Sequence, residues 1–330
     1  MSGKPSFSAV IPLYNKSEYI ARALNSALSQ DYPAHEIIVI DDGSTDDGVK
    51  IVEEMCDPRI RLIKQANRGG AGAPARNTGM QVATGTWFAF LDADDCWLPN
   101  HLTELAMLAV ACPLAGLLSS TSVERLEGQS LALDDRSDVP AGYRNYFIAA
   151  SGHPGCVNSS SAAVRRDVAH TSGYFGNASS GPDLEYWARV ALDYPVALSS
   201  RRTSIYFRGN GGNMERLAAQ SKADSRAKRR ALNCLADVSP SLGLLEKRAT
   251  ENPGLLQRID IQCYVNARLD QAIRMQLVRE NVEQLASLAA LKFVSTSSRS
   301  FALSAAARMP NALLLNGERA RKRLKKAVFS

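Results

Sequence analysis

Metal-binding cysteine and histidine spacings are missing from this chain of 330 residues. Its six cysteines (Cys56, Cys96, Cys112, Cys156, Cys234 and Cys263) are scattered and form no CxxC pair. That argues against a zinc site and against a disulfide framework. The four histidines are isolated, with no HExxH pair, so any metal is expected to be oxygen-bound. No stretch approaches the roughly 20 consecutive apolar residues that cross a bilayer. The opening Met1-Ser2-Gly3-Lys4-Pro5 runs straight into a strand-like segment and lacks the apolar core of a signal peptide. A cytosolic protein is the expectation. The Gly-rich stretch Gly69-Gly70-Ala71-Gly72 is followed by no Gly-Lys-Ser/Thr and does not fit GxGxxG. That excludes a P-loop and counts against a dinucleotide cofactor.

What is present is an ordinary globular composition, 45% hydrophobic, with a formal charge of +6 that is unevenly spread. Arg319, Arg321, Lys322, Arg323, Lys325 and Lys326 crowd the end of the chain. Ala320, Leu324 and Val328 repeat at four-residue spacing among them, so a helix over 319–328 has one apolar side and is cationic elsewhere. Such a helix can lie on an anionic membrane surface; a solvated helix or a disordered tail is the alternative. No aromatic-interleaved basic surface points to nucleic acid.

The first hundred residues alternate strand and helix patterns. An apolar run over 7–11 ends at Pro12. Ser17 offers an N-cap, and Ile20, Ala23, Leu24, Ala27 and Leu28 mark one helical face. Ile37-Ile38-Val39-Ile40 reads as a strand buried on both faces. Further strands are expected over 60–63 and 87–91, with helices through Val49, Val52 and Met55 and over 76–82. This alternation predicts a mixed, mainly parallel sheet with helices on both faces. Ligands of such sheets bind beyond the carboxyl ends of the strands, at the topological switch point. Tyr14-Asn15, Asp41-Asp42 and the Asp92-Ala93-Asp94-Asp95 cluster all follow strands, and so are expected on one rim. Carboxylates gathered there repel one another unless a hard cation or polar ligand neutralises them. A metal–diphosphate site follows as one reading, a polar turn as the other. From 114 to 207 the pattern is mixed, with short strands, a Ser159-Ser160-Ser161 segment and a helix over 183–192. After Gly209-Asn210-Gly211-Gly212 the chain reads as helix, broken at Pro240, Pro253 and Pro310. Domains are therefore expected at 1–214 and 215–330.

Four segments in order resemble the inverting glycosyltransferases of family 2, which have the GT-A fold. They are Ala9-Val10-Ile11-Pro12-Leu13-Tyr14-Asn15, Glu36-Ile37-Ile38-Val39-Ile40-Asp41-Asp42-Gly43-Ser44-Thr45-Asp46, Ala75-Arg76-Asn77-Thr78-Gly79 and Phe90-Leu91-Asp92-Ala93-Asp94-Asp95. The match is dense over the first hundred residues and thins out to about 210. The resemblance implies a nucleotide-diphospho-sugar donor, UDP-linked by analogy, bound with Mn2+ or Mg2+. It implies substrate contacts from Pro12, Tyr14, Asn15, Asp42, Arg76, Asp92, Asp94 and Glu185. Tyr14 would stack on a uracil-like base or pack under its loop, and Asp42 would accept from the base while Asp41 holds the turn. Arg76 would face the diphosphate with its planar fork, or pair with an acidic turn. The metal would fall chiefly to Asp94, with Asp92 nearer the ribose; Asp95 would cap the helix that begins near Pro99.

The family's base is the Asp of a Glu-Asp segment ahead of a Trp and an Arg. The matching stretch is Gly181-Pro182-Asp183-Leu184-Glu185-Tyr186-Trp187-Ala188-Arg189. Asp183 is the implied catalytic base and Glu185 the alternative; Pro182 stands where the family has Glu. Trp187 and Arg189 are expected to hold the helix. His153 and Ser159-Ser160-Ser161 either line the acceptor site or are structural. The Gln-x-x-Arg-Trp motif of processive synthases is not seen, so one sugar per encounter is expected, passed to a glycan or a lipid-linked saccharide at the inner face of a membrane. The competing readings are a sugar-nucleotide nucleotidyltransferase, and a non-catalytic protein that keeps the donor pocket.

Overall fold

The computed structural model describes residues 3–129, 141–153, 155–176, 178, 181–208 and 238–279. The basic segment 319–328 and residues 215–237 lie outside them. The chain divides into two compact units, Met1–Ala149 with Pro154–Glu215, and Ala150–His153 with Arg216–Ser330.

The first unit is built on one nine-stranded sheet. Its strands are β1 (Phe7–Leu13), β2 (Glu36–Asp41), β3 (Ile60–Lys64), β4 (Trp87–Phe90), β5 (Cys96–Trp97), β6 (Leu117–Leu126), β7 (Gly142–Arg144), β8 (Ala162–Arg165) and β9 (Val196–Arg208). The helices are α1 (Ser17–Leu28), α2 (Gly48–Glu54), α3 (Ala73–Val82), α4 (His101–Ala111), α5 (Tyr146–Gly152), α6 (Arg166–Ser172) and α7 (Pro182–Asp193). The strand order is β3-β2-β1-β4-β8-β6-β9-β5, with β7 paired to β9. Strands β1 to β4 are mutually parallel, and β8 then runs antiparallel to both β4 and β6. The chain moves outward from β1 to β3, then returns to the other side of β1 as β4. The switch point therefore lies between β1 and β4.

Burial on both faces explains the apolar run of β2. Ile37 and Val39 join the core that holds Ile20, Ala23, Leu24 and Ala27 of α1, whereas Ile38 and Ile40 pack with Ala75 of α3. Each such side chain contributes roughly 1.5–3 kcal/mol when fully buried. Pro12 does not end β1; it sits inside it, in register with Ile40. Successive residues point alternately to the two neighbouring strands, and Pro12 faces the β4 side beyond Val10–Phe90, where pairing has stopped. Its missing N–H therefore costs no ladder bond. Ser17 is not the cap of α1 either. Lys16 holds that position, and the Ser17 N–H is satisfied by Asp46 Oδ2 at 2.8 Å.

Helix α3 lies close against the sheet at Gly79, where an added Cβ would come within 2.4 Å of Val10 Cγ1. A β-branched valine in a strand cannot yield easily. Gly79→Ala is expected to lose about 1–3 kcal/mol by overpacking, more than the roughly 1 kcal/mol of helix propensity it gains. A drop in the urea midpoint at unchanged m-value would check this.

The second unit is helical where described. It contains α8 (Pro240–Glu251) and α9 (Ile259–Arg279). Ser239 caps α8 by accepting from the Leu242 N–H, with Pro240 in the first turn where a missing N–H is harmless. Leu242, Leu245, Ile261, Tyr264 and Val265 are buried. No described helix is long and apolar enough to cross a membrane.

Candidate active site

The turn after β4 gives its three carboxylates three different environments. The Leu91 N–H still bonds Val10 O at 3.1 Å, so the turn starts at the β1–β4 junction. Asp92 is paired with the buried guanidinium of Arg76, whose Nη1 also donates to Ala71 O at 3.2 Å. Asp94 Oδ2 lies 2.7 Å from Lys16 Nζ, and its carbonyl accepts from Arg22 Nη2. Asp95 is 1% exposed and accepts from Ser160 Oγ at 2.5 Å and from the Phe207 N–H at 3.0 Å. Burial, then the charges of Asp92 and Asp94, push its pKa well above the usual carboxylate range. Asp95 therefore does not cap the next helix; Asn100 precedes α4. It is a structural post, tied to β9 and to the 3-10 turn Ser159–Ser161.

That turn also accounts for the serine segment. Ser160 Oγ accepts the Asp92 N–H at 3.1 Å while donating to Asp95, and Ser160 O accepts the Trp97 indole N–H at 2.8 Å. Ser161 Oγ meets Ser119 Oγ at 2.9 Å. All three serines are buried, so the segment braces the acidic turn from behind. His153 is exposed and belongs to the other unit.

The rims of β1 and β2 are bonded together. Asn15 adopts φ 49°, and its Oδ1 accepts the Thr45 N–H at 2.8 Å while Ser44 Oγ accepts the Asn15 N–H. Asp41 holds its own turn through the Ser44 N–H at 3.0 Å. Asp42 is buried and accepts from Gln65 Nε2 at 2.6 Å and from the Arg68 N–H at 3.3 Å, both on Oδ1. Gln65 is itself aimed by Thr78 of α3, whose hydroxyl donates to Oε1 at 2.7 Å. Tyr14 presents its ring to solvent at 38% exposure.

Helix α7 supplies a further carboxylate. Gly181 takes a left-handed φ of 66° and Pro182 occupies the first helical position, where its fixed φ and missing N–H suit a helix start. The Pro that replaces the expected Glu is thus a helix starter. Asp183 follows in the first turn, where the helix dipole favours a carboxylate. Burial raises its pKa; Arg76 and the Leu184 N–H lower it, and Asp92 raises it again. Asp183 thus lies within electrostatic reach of the Arg76–Asp92 pair. Glu185 is engaged elsewhere: Arg189 grips it through Nε at 2.8 Å and Nη2 at 3.0 Å, and also donates to Ser172 O and Tyr174 O. Arg189 and the fully buried Trp187 hold the helix, Trp187 against Phe90 of β4 with centroids 5.9 Å apart.

One residue joins the two sides and a second feels the acidic turn, and the sequence reading missed both roles. Asn77, next to Arg76, exchanges two 2.9 Å hydrogen bonds with the backbone of Phe175, fastening the loop before α7 to α3. Tyr206 of β9 has its hydroxyl pushed up to about 12 by burial and by Asp95, Asp92 and Asp94. An ARN segment and an isolated tyrosine carry no local signal of either role.

The donor set at the acidic turn consists of oxygens from Asp92 and Asp94, partly exposed and next to a buried arginine. Such a set fits a hard divalent cation that takes its remaining ligands from phosphate and water. Among the described residues no three-ligand His/Cys/Asp/Glu cluster is present.

The model of Glycosyl transferase family 2 matches residues 8–171. An uncharacterized glycosyltransferase of Nostoc sp., alr2836, is 29% identical over 236 residues, covering 68% of this chain and 71% of its own. The Escherichia coli UDP-Glc:alpha-D-GlcNAc-diphosphoundecaprenol beta-1,3-glucosyltransferase WfaP is 43% identical over 97 residues, covering 29% of this chain and 38% of its own length. Among solved structures, S. aureus TarS 1-349 in complex with UDP-GlcNAc superposes with a TM-score of 0.57 at 18% identity, covering 92% of this chain and 87% of that one. That likeness establishes the GT-A-like fold.

Proposed function

The chain belongs to glycosyltransferase family 2, and we propose that it moves one sugar from a UDP-sugar to a hydroxyl of a glycan or lipid-linked saccharide, with inversion. The reading is supported by the Arg76–Asp92 pair beside Asp94 at the β1–β4 switch point, with Asp183 close enough to feel the charges of Arg76 and Asp92. The UDP donor and the lipid-linked acceptor rest on what WfaP is named for. The nucleotidyltransferase reading falls with the family assignment.

In this mechanism Asp183 accepts the proton of the acceptor hydroxyl as that oxygen attacks the anomeric carbon. A carboxylate with a raised pKa binds that proton better than an ordinary one. The bond from the anomeric carbon to the diphosphate oxygen breaks on the opposite face, and its electron pair leaves with the nucleoside diphosphate. Arg76 offsets part of that charge through its planar fork. When bound to Asp94 and Asp92, Mn2+ or Mg2+ supplies the remaining neutralisation. Tyr14 offers its exposed ring to the base, Asp42 its rigid carboxylate, and Pro12 and Asn15 shape the rim. This reading takes 1–214 as the catalytic domain and 215–330 as a second region, with the basic 319–328 segment as the proposed peripheral contact with the inner face of the membrane.

Thermal shifts with UDP, GDP, CDP and TDP, each with and without Mn2+, test the donor site. Stabilisation by UDP and Mn2+ together is expected; a ligand at 100 times its Kd contributes about 2.7 kcal/mol. Stabilisation by UDP regardless of metal would remove the metal from the reading. No effect from any nucleotide at millimolar concentration would overturn the donor site.

A further inference from the structure

Lys16 lies at the exit of β1, on the β1 side of the switch point. Its backbone is fixed: the carbonyl accepts the N–H groups of both Tyr19 and Ile20 at 3.0 Å, and so starts α1. Its side chain crosses to the acidic turn, where Nζ lies 2.7 Å from Asp94 Oδ2, and both side chains are mostly buried. The same ammonium lies 5.4 Å from the centroid of the Tyr19 ring. Asp94 is equally constrained, since its carbonyl is held by Arg22 Nη2 at 2.5 Å. Two anchored backbones thus hold one cation against one carboxylate.

We propose that Lys16 is a tethered cation that competes with the divalent ion for Asp94. This rests on the metal reading above. A dication about 2 Å from a carboxylate oxygen and an ammonium 2.7 Å from that carboxylate are like charges at close quarters, and one must leave. Because the backbone at Lys16 is fixed, loading the metal is a side-chain exchange. The ammonium swings off Asp94 towards the face of Tyr19, a place that keeps part of its charge compensated. Before loading, the carboxylate stays neutralised, so the turn does not open through repulsion among Asp92, Asp94 and Asp95. The residue sets metal affinity and makes it weaker than the bare carboxylates would allow.

The test uses the full chain, wild type and Lys16→Met, titrated with Mn2+ alone and with Mn2+ plus UDP, while free Mn2+ is read by its paramagnetic resonance signal. Methionine keeps the stem and removes the charge. The expected result is at least about threefold tighter Mn2+ binding by the variant, the scale of one ion pair. Amine acetylation mapped by mass spectrometry supplies the second readout. Labelling of Lys16 is expected to rise when Mn2+ is added, while Lys64 of β3, paired with Glu53 of α2, stays constant. Equal or weaker Mn2+ binding by the variant, or unchanged labelling of Lys16, overturns the proposal while the metal reading survives. If wild type binds no Mn2+ in either condition, the exchange falls together with metal dependence of the native enzyme, even where the variant binds. If neither binds, both fall.

Discussion

Asp183→Asn is expected to lower kcat by about 10²–10⁴-fold, the usual contribution of a positioned general base, with donor-induced thermal stabilisation unchanged. Asparagine keeps the shape and the place in the first turn of α7 but cannot take a proton. The pH dependence has a defined sign. Burial raises the Asp183 pKa more than Arg76 and the Leu184 N–H lower it. The base is protonated and idle at low pH, so kcat/KM in the wild type should fall on the acid side, beginning at a higher pH than for an exposed carboxylate. Stability runs the other way. A carboxyl whose folded pKa exceeds its unfolded value contributes stability below the unfolded pKa and loses it as pH rises through the folded pKa. Removing the charge should therefore leave Tm at neutral pH unchanged or higher. Loss of turnover together with a retained or raised Tm separates a catalytic role from a structural one. Unchanged turnover would remove Asp183 from the chemistry and return attention to a non-catalytic role.

Glu185→Gln serves as the control in the same assay. Its carboxylate braces Arg189 and, through Arg189, the carbonyls of Ser172 and Tyr174. Its loss should lower Tm and perturb turnover only through the loop that precedes α7.

The contrast between β2 and β9 shows which parts of this fold can be read from residues alone. Ile37 to Ile40 are all apolar because both faces of β2 are covered, and a run of that kind signals a buried strand wherever it occurs. Strand β9 spans 13 residues and β6 spans 10, yet both look like polar connections where only short strands are expected. Most of their Ser and Thr side chains are buried, and they satisfy one another: Thr203 donates to Ser120 at 2.7 Å, and the half-buried Ser122 meets Ser204 at 2.5 Å. Partners some 80 positions apart leave no periodicity in either segment. The strand-end positions were legible for the complementary reason. Tyr14, Asp42, Arg76, Asp92 and Asp94 each follow a strand or start a helix, so local pattern and topology together place them on one rim. Asp95 is identical in type to its neighbours, and its separate fate depends on Ser160 and Phe207, which are 65 and 112 positions away. Likewise, nothing local marks Lys16 as the partner of Asp94, which only the parallel pairing of β1 and β4 brings near.

Arg76→Met should produce the largest combined loss of stability and activity. Arg76 is 5% exposed, pairs with Asp92, bonds Ala71 O and lies 5.8 Å from the Phe175 ring centroid. Removing one partner of a buried pair costs about 3–5 kcal/mol, because the other charge is stranded. Asp92 keeps some solvent contact at 27% side-chain exposure, so the lower end is expected. The double variant Arg76→Met/Asp92→Asn should recover part of that loss, and the cycle isolates the pair. Arg76 also lowers the pKa of Asp183. Its removal should move the acid limb of kcat/KM to higher pH, in addition to weakening donor binding. Arg76→Lys keeps the charge but not the fork that serves Ala71 O and Asp92 together, so it should restore the acid limb better than the donor affinity. A Lys variant that recovered both would show that Arg76 acts on the donor as a point charge alone, with its fork dispensable there.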